Sequence, residues 1–176
     1  MKVLIDVLKE VSDVCHQVDD TQIEQLIQSI LNSKRIFIYG EGRSGLVAKC
    51  FAMRLMHIGY NVFVIGETIT PSMKEGDLCI LISGSGKSES VLMYASKAKK
   101  SNIEIFAISA QLNSELFQRT AFRLIVPGKT KGNEIPSIQL LSSLFDQALH
   151  LVLDAVALEI SKNMNIEEHV ALNNHF

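Results

Sequence analysis

"DLCILISGSGKSES" (Asp77–Ser90) is the stretch on which the fold turns. Leu78–Ile82 is apolar without a break, the pattern of a strand buried on both faces. The next part, "ISGSGKSES" (Ile82–Ser90), holds four serines and two glycines in nine residues. "VLMYASKAKK" then continues at helical spacing. A small, hydroxyl-rich turn between a buried strand and a helix suits an oxyanion. Glycines let backbone N–H groups come close to a phosphate, hydroxyls add donors, and the helix N-terminus adds a positive dipole end. The plain alternative is an ordinary surface turn.

Outward from this turn the same alternation recurs. Upstream, "RIFIYG" (Arg35–Gly40) reads as a strand, "GEGRSG" (Gly40–Gly45) as a second glycine-rich turn, and a helix runs on to Ile58. "YNVFVI" is a strand. Downstream come a helix over Ser90–Lys100, the strand "IEIFAIS", a short helix in "NSELFQRT" and the strand "FRLIV". Pro127 and Gly128 break the pattern, Lys129–Ile135 is a polar loop, and Pro136 opens a long helix to Lys162. Two amphipathic helices precede the first strand, the first over residues 2–18 and the second capped at Asp20 or Thr21. Apolar strands alternating with crossover helices predict an α/β fold with a five-stranded parallel sheet covered on both faces. One domain over 1–176 is expected, with N-terminal helices in 1–33, a parallel core in 34–127, a long helix in 136–162 and a tail in 163–176. The helix ending at Ile58 is apolar nearly all round, through Leu46, Val47, Cys50, Phe51, Met53, Leu55 and Met56. Such a helix is buried on more than one side, by the chain's own centre or by another subunit.

Composition narrows the function. The chain has 176 residues, 47% of them hydrophobic, and a net charge of −2. It has no long basic stripe and few aromatics, which argues against a nucleic-acid partner. No apolar run approaches the roughly 20 residues that span a bilayer, and the acidic start "MKVLIDVLKEVSDV" does not read as a signal peptide. Cys15, Cys50 and Cys79 lie apart in apolar contexts, as reduced cytoplasmic thiols do. No His or Cys spacing suggests a metal.

Both glycine-rich turns lie at carboxyl ends of predicted strands, where open parallel sheets bind ligands. "GEGRSG" has the wrong glycine spacing for a dinucleotide, and a triphosphate loop needs glycine where Leu81 stands. A small phosphorylated ligand fits better. Ser83, Ser85 and Ser88 with Gly84 would bind its phosphate, joined by Gly42 and Ser44 from the first turn; Arg43 would hold a sugar hydroxyl or the phosphate, its plain alternative being a solvated arginine. Candidates for chemistry are His57 in "RLMHIGY", Glu67 in "GETITP" and Asp146 in "SSLFDQALH". A packed histidine, a surface acid and a paired acid are the structural alternatives.

Three segments carry a resemblance: "GEGRSGLVAKCFAMRLMHIGYNVFVIGETITP", "GDLCILISGSGKSES" and "SLFDQALHLVLDAV". Over residues 1 to about 165 the chain resembles the 6-phospho-3-hexuloisomerase group of the sugar isomerase (SIS) domain superfamily, most specifically over Gly40–Pro71. The resemblance implies a flavodoxin-like α/β/α sandwich and a cytoplasmic homotetramer with sites near subunit interfaces. It implies interconversion of D-arabino-hex-3-ulose 6-phosphate and fructose 6-phosphate, the second step of the ribulose monophosphate pathway, with no cofactor or metal. Ser44, Ser83, Ser85 and Ser88 match the family's phosphate-binding positions, and His57 matches its proposed acid–base histidine. Asp146 stands where the family usually has glutamate, and Lys87 where glutamate is common. The family's C-terminal R-H-A-N-L-E signature is absent from "HVALNNHF".

Moving a carbonyl between C3 and C2 needs proton abstraction beside it, an enediol and reprotonation. A base titrating near neutrality is suited to this, and donors must face the enediolate oxygen. His57 and Asp146 both qualify, and their roles stay unassigned at this stage. A non-catalytic sugar-phosphate sensor, or an isomerase for a pentose 5-phosphate, are the alternatives.

Overall fold

The computed structural model describes residues 1–175; Phe176, at the end of the predicted tail, lies outside the described residues. Its elements are helix α1 (Lys2–Cys15), α2 (Asp20–Asn32), strand β1 (Ile36–Gly40), α3 (Gly42–His57), β2 (Val62–Val64), β3 (Leu78–Ile82), α4 (Glu89–Lys100), β4 (Glu104–Ser109), β5 (Phe122–Ile125), α5 (Ser143–Asn163) and α6 (Glu168–Asn173). The five strands form one all-parallel sheet in the order β2-β1-β3-β4-β5. This is the flavodoxin-like order, so the expected α/β sandwich is present.

The order explains which face each helix covers. The chain steps one way from β1 through α3 to β2, then the other way from β3 through α4 to β4. Right-handed crossovers of opposite direction lay their helices on opposite faces. Strand residues divide accordingly. Ile36, Ile38, Leu78, Ile80 and Ile82 join a core with α1, α2, α3 and α5. Cys79, Leu81, Ile105 and Ala107 join a smaller one with α4 and the turn at Phe117. Burial pushes the Cys79 thiol up to about 12, so it remains an inert packing group.

Several boundaries differ from the expectation. The long helix begins at Ser143, not Pro136. Backbone and side-chain donors of 137–139 are taken instead by Glu10 on α1: Ser137 Oγ at 2.7 Å, the Ile138 N–H at 2.9 Å and Gln139 Nε2 at 3.2 Å. Leu141, at φ 57°, then turns the chain into α5. "NSELFQRT" contains only a 3-10 turn at Phe117–Arg119, because the Leu116 N–H is drawn to the Gly86 carbonyl at 3.0 Å. α1 stops at Cys15, and Asp19 caps α2 by accepting from the Thr21 N–H at 2.8 Å. α3 begins three residues earlier than Gly45, and the tail carries α6.

α3 is the central helix. Its inner side buries Val47, Ala48, Phe51 and Leu55, while Leu46, Met53 and Met56 are exposed on this single chain. Its start crosses the end of β1 so closely that a Cβ on Gly45 would lie 2.6 Å from the Gly40 carbonyl oxygen. Only glycine permits this approach, and it brings the first residues of α3 to the sheet's carboxyl edge. Phe51, 1% exposed, is the largest core side chain on this helix. Phe51→Ala should destabilise the fold by about 3–5 kcal/mol, seen as a lower urea midpoint with an unchanged slope.

Candidate active site

The turns after β1 and β3 meet at the point where the strand order reverses, the usual ligand crevice of such sheets. There they line a cleft of about 440 Å³ with the start of α5 and the loop through Lys131. Gly42, Arg43 and Ser44 stand on one wall, Ser83, Gly84, Ser85 and Ser88 on another, and Ser142, Ser143 and Asp146 on a third. The N-termini of α3, α4 and α5 therefore converge on one volume. Each supplies free N–H groups and a positive dipole end, an environment favouring an anion.

The serine turn is pre-shaped. Ser83 Oγ lies 3.1 Å from Ser88 Oγ and accepts from the Gly86 N–H at 3.1 Å, and Ser85 Oγ accepts from the Lys87 N–H at 3.3 Å. Gly86 sits at φ +64°, and a Cβ there would fall 2.2 Å from Ser114 Cβ. Lys87, the departure from the family pattern, points to solvent and does not line the cleft.

Asp146 is the buried acid, 3% exposed. Ser44 Oγ donates to its Oδ1 at 2.6 Å, tying α3 to α5. Arg43 Nη1 donates to Ser143 Oγ at 2.9 Å beside it. Burial holds the Asp146 carboxyl above the ordinary aspartate range, against the opposing pull of Ser44, Arg43 and Lys131. A carboxyl shifted in this way holds a proton more readily than an aspartate in water, which makes it a candidate acid or base.

Two sequence candidates lie elsewhere in the chain. His57 ends α3, fifteen residues after Gly42, about 22 Å along the axis at 1.5 Å per residue. Its ring lies 5.1 Å from that of His175, and Asn174 Nδ2 donates to its carbonyl at 3.0 Å. Burial, His175 and Arg54 hold it below the ordinary histidine value, hence neutral near pH 7. Glu67 is exposed and pairs with Lys49 at 2.6 Å, away from the cleft. The structure also adds cleft residues that the sequence motifs do not single out: Glu41, Lys131, Ser142 and Ser143. Lys131 had a usable signal, since its loop leaves the carboxyl end of a parallel strand as the two glycine-rich turns do. No group of three His, Cys, Asp or Glu among the described residues is arranged to hold a metal ion. No helix among them is long and apolar enough to cross a membrane.

The fold agrees with the comparisons. The SIS domain family profile matches residues 29–151, more than half of the chain, so the chain belongs to the SIS domain family. Within it, the chain groups with the 3-hexulose-6-phosphate isomerases. It is 36% identical over 173 residues to the 3-hexulose-6-phosphate isomerase of Bacillus subtilis, covering 97% of this chain and 94% of that one. It is 40% identical over 155 residues to the 3-hexulose-6-phosphate isomerase of Methanocaldococcus jannaschii, covering 88% and 82%. A solved Methanococcus jannaschii structure, for which a 3-hexulose-6-phosphate isomerase function was inferred, superposes with a TM-score of 0.87 at 35% identity, covering 100% and 98%.

The raised carboxyl makes a prediction about stability. A group whose folded-state affinity for the proton is raised favours folding at low pH and loses that contribution as pH rises through its folded value. Asp146→Asn keeps an acceptor for Ser44 and removes the buried charge. It should therefore melt higher than wild type at pH 8, with the difference shrinking as the pH is lowered toward 4. Equal melting temperatures at every pH would mean that the carboxyl is not strained by burial.

Proposed function

We propose that the chain acts as a 3-hexulose-6-phosphate isomerase, interconverting D-arabino-hex-3-ulose 6-phosphate and fructose 6-phosphate. The observation that carries the reading is Asp146: a buried carboxyl hydrogen-bonded to Ser44, on the wall of a serine-lined cleft where three helices begin. The relatives named for this reaction, matched over nearly the whole chain, supply the substrate.

In the proposed chemistry the serine turn takes the phosphate and directs the sugar toward Asp146. The carboxylate removes the proton from C2 of the hexulose. The C–H electron pair forms the C2–C3 double bond, and the C3 carbonyl oxygen becomes an enediolate. N–H groups at the helix starts stabilise that charge. The O2 proton then passes to O3, the O2 electron pair forms the C2 carbonyl, and the C2–C3 π pair takes the proton back from Asp146 at C3, which completes fructose 6-phosphate and restores the carboxylate. Gly42, Arg43, Ser44, Ser83, Gly84, Ser85 and Ser88 serve as binding groups on this reading, and Ser83 also shapes the turn.

The same reading makes the chain a cytoplasmic homotetramer with sites near subunit interfaces. Exposed apolar side chains on three helices support assembly: Val3, Ile5 and Leu8 on α1, Leu46 and Met53 on α3, Leu151 and Leu158 on α5. His57, too far along α3 to serve its own cleft, acts as the second proton carrier in the cleft of another copy.

The test is conversion of hexulose 6-phosphate to fructose 6-phosphate by the purified protein, read through a fructose 6-phosphate-consuming coupled assay. Wild type should turn over, and His57→Gln and Asp146→Asn should each lose at least about a hundredfold. Co-expressed in one oligomer, the two variants should recover part of the activity, because some clefts then combine an intact Asp146 with an intact His57. Wild type that binds fructose 6-phosphate but never turns over would replace the isomerase with a sugar-phosphate sensor. Inactive mixed oligomers would remove His57 from the shared site.

A further inference from the structure

Lys131 lines the cleft and has no part in the reaction scheme above. We propose that Lys131 supplies the counter-charge to the substrate's phosphate, from a hydrogen-bonded loop set against the serine turn; the inference rests on the isomerase reading only for the identity of the sugar.

The need for such a charge follows from the cleft's composition. A phosphate monoester carries −1.5 to −2 charges near neutral pH. The serine turn offers it only neutral donors, the hydroxyls of Ser83, Ser85 and Ser88 and nearby N–H groups. The lysine within the turn, Lys87, points away. Asp146 and Glu41 stand on the same cleft and add like charge. Of the two cations lining it, Arg43 is engaged at the Asp146 end, through Ser143 Oγ at 2.9 Å. That leaves Lys131.

The loop is built to present it. Asn133 closes a turn by accepting from the Thr130 N–H at 2.9 Å and donating to the Gly128 carbonyl at 3.0 Å. The Gly132 N–H donates to Thr130 Oγ1 at 3.3 Å, and Thr130 is buried. Gln111 Nε2 donates to the Gly132 carbonyl at 3.0 Å, and the Lys131 N–H to Ser142 Oγ at 3.3 Å, fastening the loop to β4's end and to the start of α5. A Cβ on Gly132 would stand 3.7 Å from Ser85 Cβ, so the loop lies against the serine turn itself. The two lysines of "GKTKG" divide their roles. Lys129 Nζ turns inward toward the carbonyls of Ser137 and Gln139, at 3.5 and 3.4 Å. Lys131 lines the cleft, and its ammonium has no hydrogen-bond or ion-pair partner among the described residues; its charge is felt by Asp146 across the cleft but is not bonded to it. A charge whose backbone is already ordered loses less entropy when it meets its ligand.

The test uses the full chain, with inorganic phosphate and fructose 6-phosphate as calorimetric probes. Lys131→Gln should weaken both by about tenfold or more, as loss of a charge-assisted hydrogen bond does. It should raise KM with kcat largely kept, since a phosphate contact is the same in ground and transition states. Lys131→Arg should restore most of the affinity, and both variants should melt as wild type does. Unchanged phosphate affinity overturns the proposal, whether kcat is retained (a solvated lysine) or lost (an ammonium acting at the reacting carbonyl). A lower melting temperature in both variants, with no rescue by arginine, overturns it in favour of a loop-holding role. Lys131-dependent phosphate binding in a protein that turns over no hexulose 6-phosphate would sink the isomerase reading and leave this inference standing.

Discussion

Five parallel strands send every strand-to-helix turn to one edge of the sheet, and the reversal of strand order between β2-β1 and β3-β4 opens a gap at that edge. The cleft follows from this constraint. α3 and α4 leave neighbouring strands on opposite faces, so their N-termini cannot pack on one another and instead flank an open volume. α5 arrives from the far end of the sheet and closes the third side. The hydrogen bond from Ser44 to Asp146 then joins α3 to α5 across the cleft wall. Three helix starts aimed at one place make a positive, donor-rich site from backbone groups alone, before any cationic side chain is counted.

Into that site the chain buries a carboxyl. Asp146 gains a hydroxyl donor, but burial outweighs it and leaves the acid more ready to hold a proton than an aspartate in water. Burial of this carboxyl costs stability, a cost that the proposed proton-transfer role would account for. Elsewhere acids serve structure. Asp77, 3% exposed, accepts from Arg35 Nη2 at 2.5 Å and from the Lys74 N–H at 2.6 Å, joining the start of β1 to that of β3. Burial raises its carboxyl, but those partners overcome burial and hold it below the usual range. Two buried acids of the same type are thus moved in opposite directions by their neighbours.

Much of this was legible in the sequence because local pattern and global role coincide. Leu78–Ile82 is apolar throughout since both faces of β3 are covered, and Ser83–Gly86 is small and polar, as a turn open to an anion would be. What was not legible depended on contacts distant in sequence. Nothing local to Pro136 says that Glu10, some 130 residues earlier, diverts the following backbone groups and delays α5 to Ser143. Glu67 follows a strand as a cleft residue would, but β2 is an edge strand, and its exit leads to Lys49 on the surface. His57 belongs to the same helix as Ser44, yet helical rise alone carries it to the opposite end. Motif adjacency could not convey that separation. For Lys131 the sequence offers only its loop's place after a parallel strand, and the rest of its meaning comes from Asn133, Gln111 and Ser142.

The central claim is that this cleft moves a proton between C2 and C3 of a phosphorylated ketose. Incubation of the protein with fructose 6-phosphate in heavy water, followed by NMR of the sugar, tests it at the level of the atom. A 2,3-enediol washes solvent deuterium into C3 and leaves the C1 hydrogens untouched. Deuterium at C3 of fructose 6-phosphate, and at C2 of the hexulose formed from it, is the predicted result; deuterium at C1, the mark of an aldose–ketose isomerase, or none at all in a protein saturated with fructose 6-phosphate, would contradict the account.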